Sequence, residues 1–416
     1  MGSVDVLVVA STVPAHGDDA VPRFVLDQAL SLAAADPTLT VRILAPHTPS
    51  SRGLSWPCEE SEDGRVTQDR FRYAPSRLEV LTARGIMPAI AARRSLAAVI
   101  PLLVAGERRA LRRAVASQRP DVIYAHWFTP QAIVAASVAR RARVPFVVTT
   151  HASDVAVLRR LGPLGTRVVR RVTRRAAAVT AVSRQTAAKL LAFFEGAERH
   201  ALERAIVASP MGIEKPAPPS ADAPVPDPHT VAVIARLVEK KGIHVLLDAW
   251  SAVRAAVPDA RLLIGGDGPW RERLEQAATG LAGVDFRGYV TGDAKAALEA
   301  EAAVVAVPSV VAVDGDADGL PVAALEALGR GAALVVSDAS GVHELLAGTD
   351  AGTVVPAGDA AALASALIAV MGRGDRERDQ AVAAARDLAG ALTWEALAPT
   401  MLDTLRAAAH VGGWRA

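Results

Sequence analysis

Short apolar runs rich in Val, Ile and Leu recur along the chain, and longer Ala/Leu/Arg stretches of helical periodicity separate them. In the first half these runs are 4–10, 40–46, 121–126, 145–151, 178–183 and 205–210. In the second half they are 230–235, 260–266, 284–290, 303–309, 333–338 and 352–356. Continuous apolar runs suit strands buried on both faces, and strands separated by helices suit parallel sheets. The pattern therefore predicts an α/β protein of the doubly wound kind. The stretch 80–119 reads as helical and amphipathic, and the last segment, from Trp394, reads as a closing helix.

Between the halves lies EKPAPPSADAPVPDPHT, residues 214–230. Its prolines can neither continue a helix nor pair in a central strand, so it reads as an extended linker. The expected organisation is a first Rossmann-like domain over 1–212, a linker over 213–229, a second domain over 230–390 and a closing segment over 391–416 that turns back toward the first domain. A length of 416 residues fits two or three domains. Ligands in doubly wound sheets bind beyond the carboxyl ends of the strands. Two such domains facing each other would enclose a cleft, a favoured place for a small molecule.

Composition narrows the class. Apolar residues make up 51% of the chain, enough for large cores, yet no apolar run reaches the roughly 20 residues of a membrane span. The start, MGSVDVLVVASTVPAHG, has no basic segment before its apolar run and reads as a strand, not a secretion signal. Cys58 is the sole cysteine, so neither an internal disulfide nor a cysteine-based zinc cluster is expected. These features point to a cytoplasmic protein. With 46 basic and 44 acidic residues the net charge is +2, unlike a nucleic-acid binder. Two arginine-rich stretches, 107–119 and 159–176, fit either contact with an anionic membrane surface or, more simply, a solvated helix face.

Lysine is scarce: Lys189, Lys215, Lys240, Lys241 and Lys295 are the only five, and two are adjacent. Arg236 leaves the apolar run 230–235, and Lys240-Lys241-Gly242 precede an amphipathic helix. A guanidinium and an ammonium beside a strand's carboxyl end suit a diphosphate, although a merely charged turn has the same spacing. A second site candidate is VPSVVAVDGDADGLPVAALEA, residues 307–327. Asp314, Asp316, Asp318 and Gly319 match the start of a calcium loop, but its twelfth position is Leu325, and Glu326 comes one residue late. The valine-rich run before it is a strand, not the helix such a loop needs. Gly319 lets backbone approach a ligand, and a helix beginning near it would direct free N–H groups at a phosphate. Glu326, two turns on, could accept hydrogen bonds from vicinal hydroxyls or form a surface salt bridge. Gly329 and Gly331 end that helix.

The segments ARLVEKKG, IGGDGP, FRGYV and DGLPVAALEALGRGAALVVSDASGVHELL resemble the donor half of the retaining GT-B glycosyltransferases of family GT4. Asp318 and Glu326 occupy the two acidic positions of the family's E-x7-E signature, and YAHW and TTHASDV are similar to the family's first-half segments. The resemblance covers nearly the whole chain. It implies that Arg236 and Lys241 neutralise a donor diphosphate, and that Asp318 with Gly319, Leu320 and Pro321 holds the donor sugar and phosphate. It further implies that Glu326 binds the ribose, that backbone near Gly288 and Tyr289 meets the base, and that His151 reaches the donor sugar. Acceptor contacts are expected in the first half, around His16, Gly17, Arg23, His126 and Asp154. Departures from the family are Asp318 for Glu, Ala235 for Gly, and Ala152 for Gly.

The activity this implies is transfer of a sugar from a UDP- or GDP-sugar to an acceptor hydroxyl, with retention and with no metal or other cofactor. The acceptor would be a small molecule, a glycan or a lipid-linked group. A GT-B relative with altered chemistry, such as a phosphorylase or pseudo-glycosyltransferase, and a non-catalytic nucleotide-sugar binder are the alternatives. A nicotinamide oxidoreductase is disfavoured, because no strand is followed by an intact G-x-G-x-x-G.

Overall fold

The structure, a computed structural model, describes residues 3–16, 19, 21–61, 63–83, 85–151, 153–216, 225–313 and 315–410. Gly17, Ala152, Asp314 and most of the proline-rich linker lie outside the described residues. The chain divides into two compact units. Unit 1 comprises Met1–Val182, Thr186–Pro210 and Trp394–Ala416; unit 2 comprises Ser183–Gln185 and Met211–Thr393.

Unit 1 is built on β1 (Val4–Val9), β2 (Leu39–Pro46), β3 (Ser55–Pro57), β4 (Val66–Phe71), β5 (Val122–His126), β6 (Phe146–Thr150), β7 (Ala178–Ala181) and β8 (Val207–Ala208). These eight form one sheet in the order β3-β4-β2-β1-β5-β6-β7-β8. All neighbours pair parallel except β3 with β4. Successive strand residues point to opposite faces. Leu7, Val9, Ile123 and Ala125 accordingly pack beneath the helices Ile100–Gln118, Ile133–Ala142 and Gly162–Thr173. Val6, Val8, Val122 and Tyr124 pack on the other face. That face is covered by the helices Phe24–Ala35 and Trp394–His410, the latter through Met401, Leu402 and Leu405. The closing helix thus returns to unit 1, and Arg406 meets Asp36 at 2.6 Å.

Two differences from the sequence expectation have local causes. Strands β3 and β4 were not anticipated, because VTQDRF buries polar Gln68 and Arg70. Arg70 Nη2 donates to Val13 O at 2.9 Å, Pro14 O at 3.0 Å and Gln68 Oε1 at 2.5 Å. The stretch 80–119 is not one helix. A helix over Ile86–Ala92 and a 3-10 turn over Arg94–Val99 precede Ile100–Gln118. Pro101, which has no N–H, fits only the first turn of that last helix.

Unit 2 contains β9 (Asp227–Ile234), β10 (Arg261–Gly265), β11 (Val284–Gly288), β12 (Ala302–Val307), β13 (Ala333–Ser337) and β14 (Gly352–Val355). The sheet is parallel throughout, in the order β11-β10-β9-β12-β13-β14. Val231, Val233, Ile264, Val304 and Val335 form its core with Trp250 and Leu367 of the covering helices. In both sheets the chain first builds outward on one side of the opening strand and then on the other. The switch falls between β1 and β5 in unit 1 and between β9 and β12 in unit 2. The strand ends at such a switch leave a crevice where ligands bind. Among the described residues no helix is long and apolar enough to cross a membrane.

Candidate functional site

In unit 2 the switch-point crevice is formed by the loop after β9, with Arg236 to Gly242, and the loop after β12, residues 308–321. The two loops are joined backbone to backbone. Val310 N donates to Lys240 O at 2.9 Å. Gly242 has φ +63°, and a Cβ there would stand 1.7 Å from Pro308 O, so only glycine permits this approach. Lys241 Nζ lies 2.9 Å from Asp318 Oδ2, and Lys240 Nζ lies 3.0 Å from Asp316 Oδ2 and 3.6 Å from Asp318 Oδ1. Ser309 Oγ donates to Asp318 Oδ2 at 2.8 Å. Burial pushes the Asp318 carboxyl up, but Lys241 and then Lys240, with the hydrogen bonds from Lys241 and Ser309, hold it below its ordinary value. Asp318 is therefore an ionised carboxylate inside the protein, paired with cations as buried charges must be. Arg236 is exposed and has no ion pair among the described residues.

Directly after Asp318, Gly319 O accepts from Gly341 N at 2.9 Å, Leu320 is buried, and Pro321 caps the helix Val322–Arg330. The first amides of that helix have no partner within it. The loops after β10 and β11 stack against the same edge. A Cβ at Gly266 would lie 1.8 Å from Ala235 O and one at Gly268 2.4 Å from Leu237 O, and Gly266 N donates to Gly288 O at 2.6 Å. Gly288 has φ +69° and Tyr289 beside it is 60% exposed. Glu326 takes the salt-bridge alternative in this structure, with Lys295 Nζ 2.5 Å away.

In unit 1 the corresponding edge gathers aromatic rings. His126 ends β5, Trp127 and His151 follow β5 and β6, and Phe24 opens the helix after the β1 loop. Ring centroids are 5.1 Å apart for Trp127 and His151, 5.4 Å for Phe24 and His151, and 5.6 Å for His126 and His151. His126 Nδ1 and His151 Nε2 stand 3.4 Å apart. Burial lowers both imidazoles, and His151 lowers His126 further, so both are neutral at physiological pH. Trp127 has φ +69°, a backbone conformation that is strained for any residue but glycine. Asp154 is buried and holds this edge in place. It accepts from Phe128 N at 2.6 Å, and from Thr150 Oγ1 and His151 N at 3.1 Å each. Burial raises its carboxyl, against those hydrogen bonds. Its oxygens serve the protein's own donors. His16 faces Asp19 at 3.9 Å, and Arg23 is tied to Asp27 and Glu60.

Unit 2 thus brings together Lys241, Asp318, Gly319, Leu320 and Pro321, and unit 1 brings together His126, His151 and Asp154. The structure adds Ser309, Phe24 and Trp127 to these groups, and the Lys295 partner of Glu326. Only YAHW, through its tryptophan at a strand end, carried any signal of them in sequence.

A family model described as Glycosyl transferase 4-like domain matches residues 20–202, and one described as Glycosyl transferases group 1 matches 228–373. The chain belongs to the group 1, GT4-type glycosyltransferases. Among its relatives of this family is a GDP-mannose-dependent alpha-(1-6)-phosphatidylinositol dimannoside mannosyltransferase of Mycobacterium tuberculosis. It is 36% identical over 174 residues, which cover 42% of this chain and 43% of that one. A phosphatidyl-myo-inositol mannosyltransferase of Mycobacterium leprae is 33% identical over 184 residues, 44% of this chain and 48% of that one. The chain spans about half the length of the curated relatives it matches. Over nearly its full length the fold is that of sucrose-phosphate synthase from Thermosynechococcus elongatus, with TM-score 0.70, 21% identity, and coverage of 97% of this chain and 98% of that one. The two-domain GT-B fold expected from the resemblance is the fold observed.

Proposed function

We propose that the protein transfers a hexose from a uridine or guanosine diphosphate sugar to an acceptor hydroxyl, with retention at the anomeric carbon and without a divalent metal. The observation that carries this reading is the unit 2 switch point. Arg236 and Lys241 stand on one loop, the buried Asp318 meets Lys241 from the other, and the helix Val322–Arg330 begins shortly after it. A diphosphate there meets a guanidinium, an ammonium and unpaired amides.

As the sugar–phosphate bond breaks, the diphosphate gains charge, and groups already aimed at it stabilise the departure. Asp316 and Asp318 balance Lys240 and Lys241. The positive potential that draws the donor then comes from Arg236 and the helix end. With donor bound, Lys241 turns to the phosphates and Asp318 accepts from sugar hydroxyls, while Glu326 exchanges Lys295 for the ribose. Both aspartates are held by lysines, which supports charge stabilisation by cationic side chains in place of a metal. The neutral His126–His151 pair of unit 1 serves the acceptor hydroxyl. The mycobacterial relatives' names support a nucleoside-diphosphate hexose donor and a lipid-linked acceptor.

The test is nucleoside-diphosphate release from UDP- and GDP-hexoses with an acceptor panel. Release is expected to need an acceptor and to persist in EDTA. In both Arg236→Ala and Lys241→Ala, kcat/KM is expected to fall about 10²-fold, the scale for loss of one charge-stabilising group. Wild-type turnover in both variants would sink the assignment. Release of sugar phosphate would mark a phosphorylase, and binding without turnover a nucleotide-sugar binder.

A further inference from the structure

The net charge of +2 conceals a strong segregation. Residues 100–175 contain fifteen arginines, no lysine and three acidic residues, a net of +12, so the rest of the chain carries −10. Two of the three acids, Glu107 and Asp154, are buried. The fold collects the arginines on one layer, since the helices Ile100–Gln118, Ile133–Ala142 and Gly162–Thr173 cover the same face of the unit 1 sheet. The first presents four exposed arginines between 108 and 113, the second ends in two, and the third presents Arg167, Arg171 and Arg174.

Along the third helix and just past its end, Arg167, Arg170, Arg171, Arg174 and Arg175 line a hollow of about 450 Å³. Arg174 pairs with Glu198 at 2.5 Å, and Arg170 donates to Phe193 O at 2.7 Å. Arg167, Arg171 and Arg175 face no carboxylate within salt-bridge distance among the described residues. Burial, then Arg171 and Arg140 of the neighbouring helix, push the Arg175 guanidinium below its ordinary value. Like charges from two helices therefore repel here, a penalty that an anion would relieve. Cations near helix C-termini complement the helix dipole, but that accounts for one or two arginines per helix, not for this excess.

A second feature lies beside the charge. Leu102, Leu161 and Leu164 are 44%, 53% and 61% exposed. They stand at the starts of the first and third helices. These helices connect parallel strands, so each must start at the carboxyl edge of the sheet, the edge where His126, Trp127 and His151 gather. The layer therefore presents exposed leucines toward that edge and arginines behind them.

We infer that this layer docks unit 1 on an anionic phospholipid bilayer, the arginines on headgroup phosphates and the three leucines at the acyl boundary. Arginine suits phosphate by its planar fork of donors, and a basic face with apolar side chains beside it suits the membrane interface. A nucleic-acid duplex would use the charge but leave the leucines exposed.

The experiment is co-sedimentation of the full chain with vesicles of phosphatidylcholine alone and of three parts phosphatidylcholine to one part phosphatidylglycerol. Binding is expected only to the anionic vesicles and should weaken with salt. Arg167→Gln with Arg171→Gln should lower the partition coefficient roughly 25-fold, at about fivefold per charge near an anionic surface. Leu161→Ser with Leu164→Ser should weaken the binding that survives high salt, and circular dichroism should show both variants folded. Absence of sedimentation with anionic vesicles, equal binding to both vesicle types, or wild-type binding by both folded variants overturns the inference. So does duplex DNA competing for the same arginines at equal affinity, which would assign the face to nucleic acid.

Discussion

Glu107 and Asp318 are both carboxyls removed from water, and their neighbours drive them in opposite directions. Asp318 has Lys241, Lys240 and Ser309, and stays ionised. Glu107 sits inside the unit 1 core with Gln131 Nε2 at 3.3 Å and no salt-bridge partner among the described residues, and burial pushes it up to about 8. Gln131 Oε1 is a buried acceptor without a donor among the described residues. A protonated Glu107 carries the hydroxyl that such a place calls for. Because its folded value lies above the ordinary 4.5, the native chain keeps a proton that the unfolded chain has lost between these two values. Stability contributed by Glu107 is therefore complete below pH 4.5 and is lost as pH rises through 8. Glu107→Gln should match wild type near pH 4 and exceed it at pH 9 by on the order of 2–4 kcal/mol in urea unfolding. A difference that is the same at both pH values would show that folding does not shift the titration of Glu107.

At the scale of elements, the unit 2 site depends on two loops that touch through backbone. Gly242 adopts φ +63° with Pro308 O where a Cβ would fall. Gly242→Ala would need a left-handed alanine and a displaced carbonyl together. The expected cost is about 2–4 kcal/mol of unfolding free energy for unit 2, by analogy with strained backbone and overpacked sites. Donor binding should weaken with it, because Lys240 and Lys241 move with the loop; a variant of unchanged stability and donor affinity would show that the loops are not coupled. The glycine was legible as the end of a charged turn before a helix, as were Arg236, Lys241 and Asp318 beside their strands. Local spacing records such positions. Five of the six strands of unit 2 were readable for the same reason, since each holds a continuous apolar run, and β11, VDFRG, shows instead an alternation of apolar and charged residues. β4 was not, because buried Arg70 and Gln68 satisfy each other and nearby carbonyls, which no periodicity reports. Nor was the pairing of Lys295 with Glu326, 31 positions apart, or the strained backbone of Trp127. Those depend on tertiary placement.

At the scale of the whole molecule, sequence order and structural membership part company at the end of the chain. The helix Trp394–His410 follows unit 2 in sequence but belongs to unit 1, where Leu405 is fully buried beside Leu26, Ala29 and Val6. Just before it, Ile213 N donates to Leu392 O at 3.0 Å, and Ile213 bridges Thr393. Both passages of the chain out of unit 2 are thereby pinned within that unit. Unit 1 consequently completes its second core only with residues that follow unit 2 in sequence, and its stability should respond to a substitution on the far side of unit 2 from β1. Leu405→Ala removes a buried side chain from a packed site and should destabilise unit 1 by about 2–5 kcal/mol. Hydrogen exchange offers the discriminating measurement. Amides of β1 and β5 should lose protection in the variant, while those of β9 and β12, which share no core with Leu405, keep theirs. Equal loss in both sheets would mean that the helix supports the two units together, and loss confined to β9 and β12 would place it with the unit it follows in sequence.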